Sequence, residues 1–581
     1  MPHLFLLSEK KSMIKDYISF MLRKNKLFIA LCLNLFFLSI YFAFGQIRHG
    51  SLDDYFMSSV LTGAYGSKYD AHLYFVNSAY GYFLKPFYFL FPQIGWYFIF
   101  ELLGTFAAFV IFSYCIIQRL GTKWGFALTA LVLATLTPDF YFQLSFTQCA
   151  TIYTAAGLLL LFAGMSDNNI RYIILGGLFF LAGSIMRFEG FLLGIPYLAL
   201  FLFYGIIRKK FFKKNLIALF LIATAIWGIQ INDKSLYSNN DYRYYADYQP
   251  IRSYFADGAF YDRESTCDEL EERDMSCLDF NLLKSWMFYD TDVFCKDSLE
   301  SIKQIAQNNL YKPNPPKFIV SFFMAVSRML TKPAGWGWFI LCFLLTFSKS
   351  KEANVYPWLS FCIIALSIGY LLWVNRLVYH VETGIWLYAI TSSIFLLDTT
   401  FTKFSFFAKW KNIAWFGTVF IAIIFTTIGI SNQAYLKKEL KLIHTIETPS
   451  DWALFLNHVK DNPQKAFLLS FDRYKELGEL RNPPYRAIEP GSFNNIFPWG
   501  YWNIYLPAMK QELVNRGITN PIRDIIHENV YLLEDNNGPS LGLFYKKHHH
   551  HSIKADTVEK FGNLYLLKYH LYDSLENSIH E

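Results

Sequence analysis

Long apolar runs separated by short polar connections make up the first 430 residues of the chain. The runs cover 27–45, 95–117, 124–137, 147–165, 172–186, 190–207, 215–231, 335–347, 355–374, 384–398 and 412–430. About 20 apolar residues cross a bilayer as a helix, and the shorter runs reach that length with their aromatic flanks. The pattern predicts an α-helical polytopic membrane protein with about eleven transmembrane helices. A further apolar piece, 318–331, is short and carries Arg328, so it reads as an interfacial helix against the outer leaflet.

The polar stretches divide the remainder. Residues 46–94 and 232–317 form two outer loops, the second rich in Tyr, Asp and Glu, ending in Pro313, Pro315 and Pro316, and long enough for a small folded cap. They belong, with the spans, to a transmembrane body over 1–430. Residues 431–581 have ordinary soluble patterning. Strands are expected at 466–471, 530–533, 541–545 and 564–567, and helices at 450–460 and 504–516, which makes a C-terminal extracytoplasmic α/β domain.

Composition sharpens this picture. The chain is 54% hydrophobic and 19% aromatic with 17% charged residues, and its mean hydropathy is +0.23, values of an integral membrane protein. The net charge of +7 sits in short loops. It orients spans and is no nucleic-acid footprint, because no basic stripe exists elsewhere. About nineteen Lys and Arg fall on one side of the eleven-span topology and five on the other. The N-terminus is therefore expected in the cytoplasm, with the first run a retained anchor, and the C-terminal domain outside. No Asn-x-Ser/Thr sequon occurs in the outer segments, which favours a bacterial inner membrane. Cys267, Cys277 and Cys295 share the second outer loop and permit at most one disulfide among themselves. The tract His548–His551 is a candidate for adventitious metal binding. No Walker loop, GxGxxG, GxSxG or HExxH is present, so no nucleotide cofactor is expected.

Candidate chemistry gathers in the outer connections. Asp53 and Asp54 follow the first span, where carboxylates are costly unless solvated, paired or used. Adjacent carboxylates repel, so one can act as a base or both can share a divalent metal; Ser51, Asp53 and Asp54 also suit a helix N-terminus. His72 and Asn77 lie in the same loop. Arg187 and Glu189 occupy a tight outer turn, where Arg can hold a phosphate through its fork. Arg376, His380 and Glu382 occupy another.

With Asp53-Asp54 opening the first outer loop, a many-span body and a C-terminal outer domain, the chain resembles the GT-C superfamily of polytopic glycosyltransferases. The stretch from Asp53 to Trp96, with His72, Asn77, Gly81 and Pro92-Gln-Ile-Gly-Trp96-Tyr97, also resembles uncharacterised bacterial membrane proteins of that type. The resemblance implies an inverting enzyme that takes a polyprenyl-phosphate sugar from the membrane and passes the sugar to an extracytoplasmic glycan or lipid-linked acceptor. It implies that Asp53 or Asp54 is the base. Arg187 and Arg376 are the candidates for the lipid phosphate, with His72, Asn77, Glu189 and His380 as further substrate contacts. Asp139 is the candidate second acid, and a divalent metal would rest on Asp53 and Asp54. The rival readings are a flippase or transporter of lipid-linked glycans, which would want polar residues at mid-depth in the spans, and a glycan polymerase.

Overall fold

The computed structural model describes residues 25–572 apart from 46, 208–212, 257–262, 273–274, 285–288, 310–314, 329–330, 349–350, 375, 398–409, 444–448, 482–483, 500 and 535–538. The basic residues within 1–24 and 208–210, together with Lys349, Lys403 and Lys409, carry much of the orientation argument and lie outside the described residues.

Each apolar run coincides with helix. Among the described residues seven helices are long and apolar enough to cross a membrane, and Ile170–Met186, Pro315–Ser327 and Pro333–Leu345 are shorter apolar helices. The longest element, Trp96–Tyr141, contains two of the expected spans, broken at Gly121, whose φ of 73° only glycine adopts freely. A Cβ placed on Gly125 would lie 2.6 Å from the Ile117 Cα. Eight residues of straight helix would hold those positions ~12 Å apart. The chain therefore doubles back at Gly121, and Phe109 packs on Phe140 and Tyr141 across the hairpin.

Helix Phe146–Asp167 is buried along nearly its whole length and forms the axis of the bundle. It packs against Ile170–Met186 at backbone distance: a Cβ on Gly157 would stand 2.8 Å from the Gly176 carbonyl oxygen, and one on Gly176 3.0 Å from that of Gly157. Helix Lys26–Phe44 docks on Trp96–Tyr141 through Asn34 Nδ2 donating to Ser113 Oγ (2.7 Å) and the Tyr41–Thr137 hydroxyl pair (2.7 Å). Small residues and interhelical hydrogen bonds hold helices where burial against lipid gives no drive. Helix Pro315–Ser327 has 13 residues, about 20 Å and too short to span. It leaves Ile319, Val320, Phe323 and Met324 exposed.

The C-terminal sheet comprises β1 (Ala466–Ser470), β2 (Ile496–Trp499), β3 (Val530–Glu534), β4 (Ile553–Phe561) and β5 (Leu564–Leu571), in the order β2-β1-β3-β5-β4. β1 runs parallel to β2 and β3; β5 is antiparallel to β3 and β4. The expected strand at 541–545 is instead part of helix Pro539–His549. Leu541, Phe544 and Tyr545 are buried at helical spacing, which a short window does not separate from alternation.

The sheet domain and both outer loops pack on one another at one end of the bundle. Gly491 N–H donates to the Gly63 carbonyl, Phe493 N–H to that of Ala64, and Gly95 N–H to that of Tyr485. The cap formed by 232–317 carries a Cys267–Cys277 disulfide, with Cys295 unbridged. It is clasped to the C-terminal domain by His548 and Lys547 on Asp279 and by His549 on Asp290.

Candidate active site

Ser51 caps helix Leu52–Thr62 and places Asp53 and Asp54 in its first turn. The two neighbouring carboxylates then diverge. Asp54 is wholly buried. Its Oδ1 accepts from Tyr97 Oη (2.9 Å) and from the Phe146 N–H (3.0 Å), and its Oδ2 accepts from Ser51 Oγ (2.6 Å). It thus sits at the N-terminus of the axial helix, where the backbone dipole favours an anion. Burial pushes its carboxyl well above the usual carboxylate range against these bonds, and Asp53 adds to the rise.

Asp53 is half-buried and turns to the C-terminal domain. Its Oδ1 accepts from Trp502 Nε1 (3.0 Å) and from the Tyr501 hydroxyl. Trp502 packs edge-on to Phe75, and Phe75 stacks on Phe146. An aromatic wall therefore runs from Asp53 to the N-terminus of the axial helix. Arg187 stands on that wall, its guanidinium 5.1 Å from the centre of the Phe146 ring and donating to Thr147 Oγ1 (2.6 Å). The break between helices Ile170–Met186 and Phe188–Leu192 falls at Arg187, in extended conformation, and aims the side chain inward. Glu189 meets it at 3.7 Å but is 79% exposed, so the pair is solvent-screened.

Beyond Arg187 lies a second charged group. Lys332 Nζ is 3.0 Å and Arg328 is 3.6 Å from buried Glu382. Lys332 also lies 4.2 Å from the centre of the Tyr379 ring, and the Tyr379 hydroxyl donates to Asp139 (2.5 Å). His380 feels the charges of both Arg187 and Lys332. Lys332, Glu382, Tyr379 and Asp139 are thereby neighbours. Arg376 is exposed on the link leading into helix Tyr379–Leu396.

Two expected site residues have other surroundings. His72 bonds Asp70 through Nδ1 (2.7 Å) and stacks on Tyr242 (3.8 Å). It lines an open cleft of about 450 Å³ with Lys68, Lys85, Gln511 and Glu512. Asn77 caps helix Ser78–Leu90 by accepting from the Ala79 N–H.

A third grouping lies behind Asp54. Ligand atoms of His49, Asp54 and Glu101 all fall within 4.8 Å of one another. Burial holds the His49 imidazole neutral, its pKa lowered to about 3. Asp53 is outside this group, so the two adjacent aspartates do not converge on one point.

Sequence reasoning missed several of these residues. Tyr501 and Trp502 are about 450 positions from their carboxylate, and no local pattern connects them. Lys332 stands just before the apolar run 335–347, where a basic residue reads as an ordinary flank. Glu101 carried a signal, a carboxylate inside the apolar run 95–117, which is costly in a bilayer.

No protein-family model matches the chain, and no curated protein does. Among solved structures, the chain is similar to ArnT from Cupriavidus metallidurans in its apo state. The identity is 10% and the TM-score 0.37, over 92% of this chain and 97% of that one.

Proposed function

We propose that the protein is an integral membrane glycosyltransferase that moves a sugar from a polyprenyl-phosphate donor to an acceptor hydroxyl on the extracytoplasmic side, in a bacterial inner membrane. The observation that carries this reading is one aromatic wall with a partly exposed carboxylate, Asp53, at one end and a guanidinium, Arg187, at the other. Asp53 takes the proton of the acceptor hydroxyl as its oxygen attacks the anomeric carbon. The bond from that carbon to the phosphate oxygen breaks, and the polyprenyl phosphate leaves with the electron pair. Arg187, with Lys332 beyond it, stabilises the departing phosphate charge. Asp54 is too enclosed to touch substrate and is a positioning residue. The Cys267–Cys277 bridge supports placing this end of the bundle in an oxidising compartment.

Asp53→Asn tests the reading. Tyr501 and Trp502 both donate to Asp53 Oδ1, and the asparagine carbonyl accepts the same bonds, so the fold should be retained while the base is lost. Incubation with a panel of polyprenyl-phosphate sugars and bacterial lipid extract, followed by release of polyprenyl phosphate, should show a drop of ~10²–10⁴-fold. Equal release by wild type and Asp53→Asn rejects the assignment.

A further inference from the structure

We propose that His49, Asp54 and Glu101 bind one divalent first-row cation, Zn²⁺ or Mn²⁺, beneath the C-terminal domain. Both Glu101 carboxylate oxygens and His49 Nδ1 are buried with no hydrogen bond of ordinary geometry; Nδ1 stands 3.9 Å from Glu101, and Asp54 and Tyr97 are the polar groups beside the Glu101 carboxyl. Glu101 is fully enclosed. Buried polar atoms are nearly always satisfied, and a carboxylate left bare in a helix bundle is among the costliest exceptions. A proton shared between Asp54 and Glu101 would satisfy one Glu101 oxygen and leave His49 Nδ1 and the other oxygen orphaned. A cation between the three satisfies all of them.

The donor set fits. One imidazole nitrogen with two carboxylates suits a borderline ion more than Mg²⁺ or Ca²⁺, which prefer oxygen alone. Asp54 Oδ1 already accepts two bonds and Oδ2 accepts one from Ser51, so a lone pair of Oδ2 is left to face the neighbouring Glu101 carboxyl, where a metal between the two would sit. Arms of ~2.1 Å place the donors of a regular site about 3–4 Å apart, and a small rotation of Glu101 closes the observed spread.

The ligands are held independently of any ion. His49 pairs with Leu144 in an isolated parallel bridge, and the Gly50 N–H donates to the Leu144 carbonyl. Outer-shell bonds from Tyr97 and Ser51 orient Asp54, as metal-ligating carboxylates require. His49 also lines a narrow pocket with Tyr97, Pro484, Arg486 and Ile488, so it marks the rim of the cluster nearest the C-terminal domain.

The site does not depend on the transfer chemistry, and the test reads metal rather than turnover. The full chain is purified in detergent, stripped with chelator and dialysed against low-micromolar Zn²⁺ or Mn²⁺, and bound metal is counted by plasma mass spectrometry. A His550→Asn/His551→Asn background removes the two exposed imidazoles of the histidine tract. One ion per chain is expected, with a melting temperature that rises with metal concentration. Affinity should fall by more than about tenfold in both Glu101→Gln and His49→Gln, since even outer-shell losses cost 10–100-fold. If Glu101→Gln does not fold, His49→Gln at the rim of the cluster decides. Sub-stoichiometric metal in the parent chain, or unchanged affinity in a folded variant, overturns the site.

Discussion

Arg187 and Glu189 are two residues apart, yet they differ in what they can do. The guanidinium is fixed by Thr147 and by the face of Phe146, whereas the carboxylate points to solvent. Charge-assisted contacts with a phosphate are worth about 1.5–3 kcal/mol. Arg187→Gln should therefore weaken use of the lipid donor by about 10- to 100-fold, and Arg187→Lys should recover only part of the loss because the fork is gone. Glu189→Gln should change it by less than about twofold, as solvent-screened pairs contribute little. Donor titrations of the three variants check this, and equal effects at both positions would remove Arg187 from the site. At this scale the sequence was legible where chemistry is local. Asp53 and Asp54 stand out at a span exit, and the Arg187 turn is too short to hide a charge. Lys332 and Trp502 were not legible, because each acquires its neighbours only through tertiary packing.

At the scale of elements, the apolar runs were read well because backbone groups in lipid must bond within their own segment, so span and helix coincide. The hairpin at Gly121 keeps two spans apart inside one long helical element, and the polar stretch Gln118–Lys123 marks that turn in the sequence. The C-terminal sheet was harder. β4 carries charged residues along an exposed edge, and β2 is four residues long with Pro498 inside it, so neither looks like a core strand. The Gly157–Gly176 crossing makes a prediction of its own. Neither glycine has room for a side chain, so Gly157→Val should push the two helices apart and cost about 1–3 kcal/mol, the range for overpacking. An exposed control, Gly228→Ala, meets no neighbour and should leave the melting temperature within a degree or two. Thermal unfolding in detergent measures both.

For the whole molecule, the histidine tract acts as a clasp. His548 and Lys547 reach Asp279, and His549 reaches Asp290, across the seam between cap and sheet domain. Burial alone would raise the Asp279 carboxyl, but bonds from His548, the Ser276 N–H and Lys547 outweigh it and bring it down to about 2. Because the folded value lies below the unfolded one, this contribution is complete above pH ~4 and is lost as the pH falls through 2. Asp279→Asn should cost about 2 kcal/mol at neutral pH and remove that acid-sensitive step, which hydrogen exchange over 539–549 would follow. Unaltered exchange would mean the clasp is not what holds the seam. The bond between Asp53 and Tyr501 has a further consequence, one of timing. Its partners are 448 residues apart, and a ribosome adding ~5–20 residues per second needs roughly 20–90 s to make that much chain. Throughout that interval the acidic turn and the first helices have already been inserted without their cover, so the growing polypeptide must be shielded there by the insertion machinery until its last domain arrives.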